Sequence, residues 1–323
     1  LVFCALKRRE RRAPIALAAI LLAALIFSAP GATPSARPNI VIIMSDDIGL
    51  GDIGLQHRER TGQPPLATTP TIDALAQAGL RFADAHSPTA LCSPSRYAVM
   101  SGNYNYRSYA PWGVWGSFRE SPFTPGHATL GTVAKQAGYA AGFIGKWHLG
   151  GDFYRKGTQE VYRGEDRGDE ELAVDARRWI GGGPQGLGFD YDFTLPTGVQ
   201  GPFYVAYESG KWFPLATNSR LIHFDAKTAK DPLFVSDKGP GTGDSEWDTR
   251  TINTVLSHKA TDFIRANADQ RPFLLYYCTP AAHLPLLPPA KLKTQLKETR
   301  QELNETDAKY PHIQKVIEEH WND

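Results

Sequence analysis

Short apolar runs alternate with amphipathic stretches along this chain from Asn39 to Cys278. The first run, Asn39-Ile40-Val41-Ile42-Ile43-Met44-Ser45, is dominated by β-branched residues and predicts a strand buried on both faces. Thr69-Pro70 then opens a helix through Ala78, with Ile72, Leu75 and Ala76 on one face and Gly79 as its stop. Leu80 to Ala83 is expected to be the next strand. Pro94 close behind a helix start predicts a helix opening at Cys92. Thr129 to Gln136 reads as a helix closed by Gly138, and Tyr139 to Ile144 as a strand. Thr249 to Ala266 is a further helix and Phe273 to Cys278 a second strongly apolar strand. From Gly150 to Gly243 periodicity is weak, and Gly, Pro, aromatic and charged residues abound; this is expected to be a long excursion of loops and short elements. Within it, Phe203 to Trp212 carries Glu208 and Lys211, read as ligand-contacting groups or, more simply, a solvated loop. Lys291 to Asp323 is charged and helix-prone. Strands alternating with helices predict an α/β fold, a mostly parallel sheet flanked by helices.

Polar groups collect where the strands end. Asp46-Asp47, Lys146 with His148, and His283 each lie just past the carboxyl end of a predicted strand. Open α/β sheets keep their sites along that edge, so these residues should converge. Adjacent carboxylates suit a hard divalent cation such as Ca²⁺ or Mg²⁺, although a helix cap and its neighbour would read the same. Zinc would want histidine or thiolate in closer sequence company than is found here. Lys146 and His148 pair a fixed charge with a proton-exchanging group. The bland alternatives are a solvated lysine and a buried histidine with satisfied hydrogen bonds. Cys92 sits at the positive end of its helix with Arg96 one turn on, which favours a reactive thiolate over a small residue at a buried junction. Together, one nucleophile, one cation site, two positive side chains and two proton-transfer groups fit transfer of a tetrahedral oxyanion.

Composition narrows the setting. The 323 residues carry a formal net charge of +1 and 41% hydrophobic residues, so a substantial core is expected and nucleic acid is not an expected partner. The basic cluster Lys7 to Arg12 precedes an apolar run from Ile15 to Phe27, then small residues and prolines to Ala36. That run suits a signal peptide and is short for a membrane span, an uncleaved anchor being the competing reading. The expected division is a signal peptide and short leader over 1–36 and a catalytic domain over 37–323. The mature chain is expected to lack a membrane span and to be exported, to a periplasm or the extracellular space. Three cysteines, one of them (Cys4) ahead of the basic cluster, give no disulfide framework, so Cys92 has no structural task to explain it.

Cys92-Ser93-Pro94-Ser95-Arg96 with Gly102 downstream resembles the C-x-P-S-R signature of the type I sulfatases of the alkaline-phosphatase-like superfamily. Gly138-Tyr139 through Gly145-Lys146-Trp147-His148 is similar to their second signature, with one residue between lysine and histidine. Asp46-Asp47-Ile48-Gly49-Leu50-Gly51-Asp52 is similar to the metal-binding segment after the first strand, and His283-Leu284-Pro285 to a later His-x-Pro. The resemblance implies an alkaline-phosphatase-like fold and a sulfuric ester hydrolase whose cysteine is oxidised to Cα-formylglycine by a maturation enzyme. It implies Ca²⁺, or Mg²⁺, held by Asp46, Asp47 and modified Cys92. Arg96 and Lys146 would hold the formylglycine and the sulfate oxygens, His148 would act as base and His283 would help protonate the leaving alcohol. The implied substrate is a sulfate monoester, on a carbohydrate or a small molecule.

The departures set further expectations. The family completes its metal site with an Asp-Asn or Asp-His pair after His-x-Pro, and adds a later lysine; neither is matched here. Ser236-Asp237-Lys238-Gly239 precedes His283 and has lysine where an amide belongs, so it is rejected. The sequence is therefore expected to be C-terminally truncated, its smaller C-terminal subdomain missing, and a cation held by so few ligands would bind weakly. Asn103 stands after Gly102 where many relatives carry arginine. The rivals are a phosphate or phosphonate monoester hydrolase of the same superfamily and a non-catalytic fragment that binds sulfated glycans.

Overall fold

Alternate residues of the central strands enter two different cores, as the period of two along a strand requires. In the computed structural model, which describes residues 37–65, 67–164, 173–224 and 241–283, those cores lie on opposite faces of one eight-stranded sheet. The described residues from Asn39 onward belong to one compact unit. Strand β1 (Ile40–Met44) leads through α1 (Gly54–Thr61), α2 (Pro70–Ala78), α3 (Cys92–Ser101) and α4 (Leu130–Gln136) to β2 (Ala140–Lys146). Seven short strands follow: β3 (Asp152–Arg155), β4 (Val174–Gly181), β5 (Tyr191–Leu195), β6 (Phe203–Tyr204), β7 (Tyr207–Glu208), β8 (Lys211–Trp212) and β9 (Leu221–Phe224). Then come β10 (Gly241–Asp244), α5 (Thr249–Asn267) and β11 (Phe273–Cys278).

The sheet order is β1-β11-β2-β5-β7-β8-β4-β3. Its first four strands are mutually parallel and the remainder is an antiparallel extension. A second, three-stranded sheet runs β6-β10-β9. Ala141, Phe143, Leu274 and Tyr276 join Tyr97, Trp115, Trp147 and Trp179 in one core. Ala140, Ile144, Phe273 and Leu275 join Phe193, Ile252, Leu256 and Phe263 in the other, under α5. Gly142 is required there, because a Cβ would meet the Phe263 ring at 2.7 Å. Asp248 caps α5 by accepting from the Arg250 N–H, and Thr129 caps α4 from Thr132.

Three expectations are corrected. β1 is a strand but is not buried on both faces: among the described residues it is an edge strand, and Ile40, Val41 and Ile43 are exposed. Leu80 to Ala83 forms no strand, having no neighbour to pair with, and Leu80 and Phe82 are open to solvent. Phe203 to Trp212 is no solvated loop: Phe203, Tyr204 and Tyr207 are buried, and Glu208 accepts from Tyr191 Oη at 2.6 Å and Lys259 Nζ at 2.7 Å. Residues 1–36, the rejected Ser236–Gly239 segment, the Leu284-Pro285 end of the His-x-Pro match and the helix-prone Lys291–Asp323 lie outside the described residues.

Candidate active site

Four parallel strands bring their carboxyl ends together, and backbone bonds lock the loops that follow. Asp46 N–H donates to the Ala281 carbonyl at 3.0 Å and Ala282 N–H to the Asp46 carbonyl at 2.7 Å, joining the loops after β1 and β11. Trp147 and His148 donate to Leu195 and Pro196 at 2.9 and 2.8 Å, joining those after β2 and β5. Asp47 and His148 hold φ of 54° and 56°, left-handed conformations that non-glycine residues adopt at a cost and that concentrate at functional sites. Gly145, at φ +113°, is the close-approach point: a Cβ would fall 1.9 Å from the Cys278 carbonyl oxygen.

The structure gathers Asp46, Arg96, Lys146 and Cys92 around one point. Lys146 Nζ lies 2.5 Å from Asp46 Oδ2 and 3.7 Å from Cys92 Sγ. Arg96 donates to Asp46 Oδ1 at 3.2 Å and to the Lys146 carbonyl at 2.8 Å. Burial opposes ionisation of Asp46, but Lys146 and Arg96 outweigh it and hold the carboxyl below its ordinary value. His148 is buried; burial and then the charges of Lys146 and Arg96 push it well below the usual histidine range, so it is a neutral base. Its Nδ1 has no hydrogen-bond partner among the described residues.

Asp46, Cys92 and His283 each bring one ligand atom within 4.8 Å of the others. Sequence spacing hid this histidine–thiol proximity, since the two residues arrive on different elements. Asp47 stands at the rim, 57% exposed, with Oδ2 3.7 Å from His283 Nε2. The thiolate expectation is corrected: burial raises the Cys92 thiol, Lys146 lowers it, Asp46 raises it, and the net direction is upward. The helix start is as expected, but desolvation prevails over the dipole and the cations.

Sequence reasoning missed Gln200, whose Oε1 lies 3.4 Å from Lys146 Nζ. It follows Gly198 (φ +96°), where a Cβ would press on the Lys146 stem at 2.8 Å. The available signal was β5 itself: recognised as a parallel strand, Tyr191–Leu195 would have placed the next loop at the site.

The donor chemistry allows a test of the implied groups. Asp46 and Asp47 offer hard oxygen donors, as Ca²⁺ prefers, but a Ca²⁺ shell needs about six to eight oxygens. The described residues therefore fit part of such a shell. Position 92, half-buried at a helix start beside a lysine, fits a residue whose oxygens bear developing charge.

The sheet and this cluster define an α/β protein of alkaline-phosphatase-like architecture with a site suited to a tetrahedral oxyanion. The model of the Sulfatase family matches residues 38–322, and the chain belongs to that family. It is 28% identical over 279 residues to the N-acetylgalactosamine-6-O-sulfatase of Bacteroides thetaiotaomicron, covering 79% of this chain and 50% of that protein. Human arylsulfatase G is 29% identical over 276 residues, covering 80% and 44%. A solved Bacteroides thetaiotaomicron structure, described under the metabolism of multiple glycosaminoglycans, superposes with a TM-score of 0.60 at 25% identity, covering 80% of this chain and 54% of that one. The chain thus spans about half the length of the curated relatives it matches. Among the described residues no helix is long and apolar enough to cross a membrane.

Proposed function

We propose that the protein containing this chain hydrolyses sulfate monoesters of carbohydrates. The observation that carries the reading is the buried Lys146–Asp46–Arg96 cluster beside Cys92, in a chain of the Sulfatase family. The carbohydrate preference is supported by the N-acetylgalactosamine-6-O-sulfatase relative. Asp46, Asp47 and the oxygen of position 92 would hold Ca²⁺ or Mg²⁺, which would neutralise charge on the bound ester. Cys92, converted to Cα-formylglycine by a maturation enzyme, would supply a geminal hydroxyl pair where a thiol is otherwise held protonated.

Each side chain then has a task. Lys146 Nζ, facing Asp46, Cys92 and Gln200, neutralises charge on the sulfate oxygens and position 92. Arg96 is spent on Asp46 and the Lys146 carbonyl, so it fixes the carboxylate and the strand end while adding its charge. His148, neutral and buried, accepts a proton from position 92. His283, partly exposed at the mouth, donates one to the leaving alcohol. Export of the mature protein through the 1–36 leader belongs to the same reading.

Mass spectrometry of the Cys92 peptide, from full-length protein made with a maturation system, should show loss of the thiol. Turnover of a sulfate and a phosphate ester of one alcohol separates this reading from a phosphatase; dominant phosphate turnover overturns it. Cys92→Ala should abolish turnover and leave the unfolding transition within about 1 kcal/mol of the parent, since a half-exposed thiol fills no cavity. Retained turnover would refute the assignment of position 92.

A further inference from the structure

Two apolar regions are open among the described residues, and their chemistries differ. In the first, which includes Ile43 of the edge strand β1, the exposed groups are mainly aliphatic: Ile43 at 64%, Leu75 at 69% and Leu80 at 82%, with Phe82 at 77%. Such a surface asks for protein against it. The second region is aromatic. Tyr104, Tyr106, Tyr109 and Trp112 are 55%, 62%, 52% and 85% exposed, and they alternate with Asn103, Asn105, Arg107 and Ser108.

The loop carrying them is well anchored. Asn105 Nδ2 donates to the Pro111 carbonyl at 2.7 Å, which draws the Tyr104–Tyr106 tip toward Trp112. Tyr109 Oη donates to the Glu120 carbonyl at 2.6 Å, and Trp115 Nε1 to Ala110 at 3.0 Å. Trp115 N–H donates to Ser93 Oγ at 3.1 Å, and Ser93 is completely buried. The loop therefore leaves the far end of α3 at Gly102 and returns to its start, beside Cys92. Trp112 is three residues from that anchor, within about 11 Å of it along the chain. Tyr104 and Tyr106 stack at 5.5 Å with planes 12° apart, presenting an outer ring face.

We propose that the loop from Gly102 to Trp115 is a saccharide-recognition rim, in which Trp112 and the Tyr104–Tyr106 pair hold the sugar units next to the sulfated one. A pyranose ring has an apolar C–H face and a hydroxylated edge. The rim offers the complement, ring faces set among amide and guanidinium groups, whereas a protein-covered surface would be expected to resemble the aliphatic edge at β1. Placement is the second reason: the rings stand on a loop fastened at Trp115 to Ser93, the residue after Cys92. The inference rests on the sulfated-carbohydrate reading and names how that substrate is held.

The test uses full-length protein carrying the converted position 92. Substrates are 4-nitrophenyl sulfate and three tetrasaccharides ending in 6-O-sulfated galactosamine, glucosamine or galactose. Trp112→Ala and Tyr106→Ala should each raise KM about tenfold for the preferred tetrasaccharide while changing kcat/KM for 4-nitrophenyl sulfate less than twofold. Trp112→Phe should restore most of the affinity. Equal losses on both kinds of ester, or no loss on either, overturn the rim. A parent protein that hydrolyses none of the esters overturns the hydrolase reading instead. The rim is then read by titration calorimetry with the same tetrasaccharides: about tenfold weaker binding in the two alanine variants upholds it, and absent or unchanged binding overturns it.

Discussion

Removing the carboxylate of Asp46 should cost far more stability than removing the ammonium of Lys146, although loss of the ammonium should cost turnover. Asp46, Arg96 and Lys146 have side chains 5%, 1% and 0% exposed and carry one negative and two positive charges. Asp46→Asn keeps the shape and strands two buried cations. Breaking a buried pair this way costs about 3–5 kcal/mol, which for a chain of this size lowers Tm by about 4–8 °C. Lys146→Met leaves the Asp46–Arg96 pair at 3.2 Å, balanced in charge, and the Met side chain follows the lysine stem past Gly198. Replacing a buried ion by an apolar isostere is often neutral, so the cost should stay within about 1 kcal/mol. Yet Lys146→Met should lower kcat about 10²–10³-fold, the usual loss for one charge-stabilising donor. Urea unfolding of both variants in chelator at about pH 7.5 gives the first comparison, and sulfate-ester turnover the second. Lys146→Met costing as much stability as Asp46→Asn would refute the electrostatic account of the site.

Gly145→Ala should cost at least about 3 kcal/mol, because the new Cβ meets the Cys278 carbonyl at 1.9 Å from a φ of +113°; denaturant unfolding or loss of soluble protein reads this. Gln200→Ala should raise KM for the sulfate ester a few-fold at near-normal stability, since Gln200 only approaches Lys146 from the side, at 3.4 Å; an unchanged KM would remove it from the site. Asp192 is buried, and burial, partly offset by Thr194 and Gln185, raises its pKa from 3.8 to about 6. A raised carboxyl binds its proton more tightly in the folded state, so its penalty is absent below about pH 4 and complete above about pH 6. Asp192→Asn should therefore stabilise by up to about 3 kcal/mol at pH 8 and not at all at pH 4; equal effects at both pH values would contradict the shift.

Motifs with a local physical cause were legible. The helix at Cys92 follows from Pro94 close behind its start and the strand end at Cys278 from the apolar run before it, while the strand expected over Tyr139 to Ile144 runs two residues further, to Lys146. Partnership across long separations was not. Glu208 read as solvated because Lys259, its ion-pair partner at 2.7 Å, arrives on α5. β1 read as buried on both faces because its composition describes the environment the strand suits, whereas its exposure depends on what packs against it, and among the described residues it lies at the sheet edge with Ile40, Val41 and Ile43 exposed. The helix of Pro70–Ala78 came with correct ends, yet Ile72 and Leu75 of its apolar face are exposed. The weak period between Gly150 and Gly243 concealed β5, and with it Gln200.

The reversal at Cys92 bears most directly on mechanism. A helix start and two cations predicted a thiolate, but burial and Asp46 raise the thiol more than Lys146 and Arg96 lower it. As cysteine, position 92 is held protonated, a poor nucleophile beside a lysine at 3.7 Å. The same surroundings suit an oxygen nucleophile: Lys146 stands ready for negative charge and His148, neutral through burial, can take a proton. Among the described residues the three buried charges leave a net +1, which under the proposed function would favour the single negative charge of a sulfate monoester. Under the proposed function, that positive surplus among the described side chains is what an anionic ester would meet on entering the site.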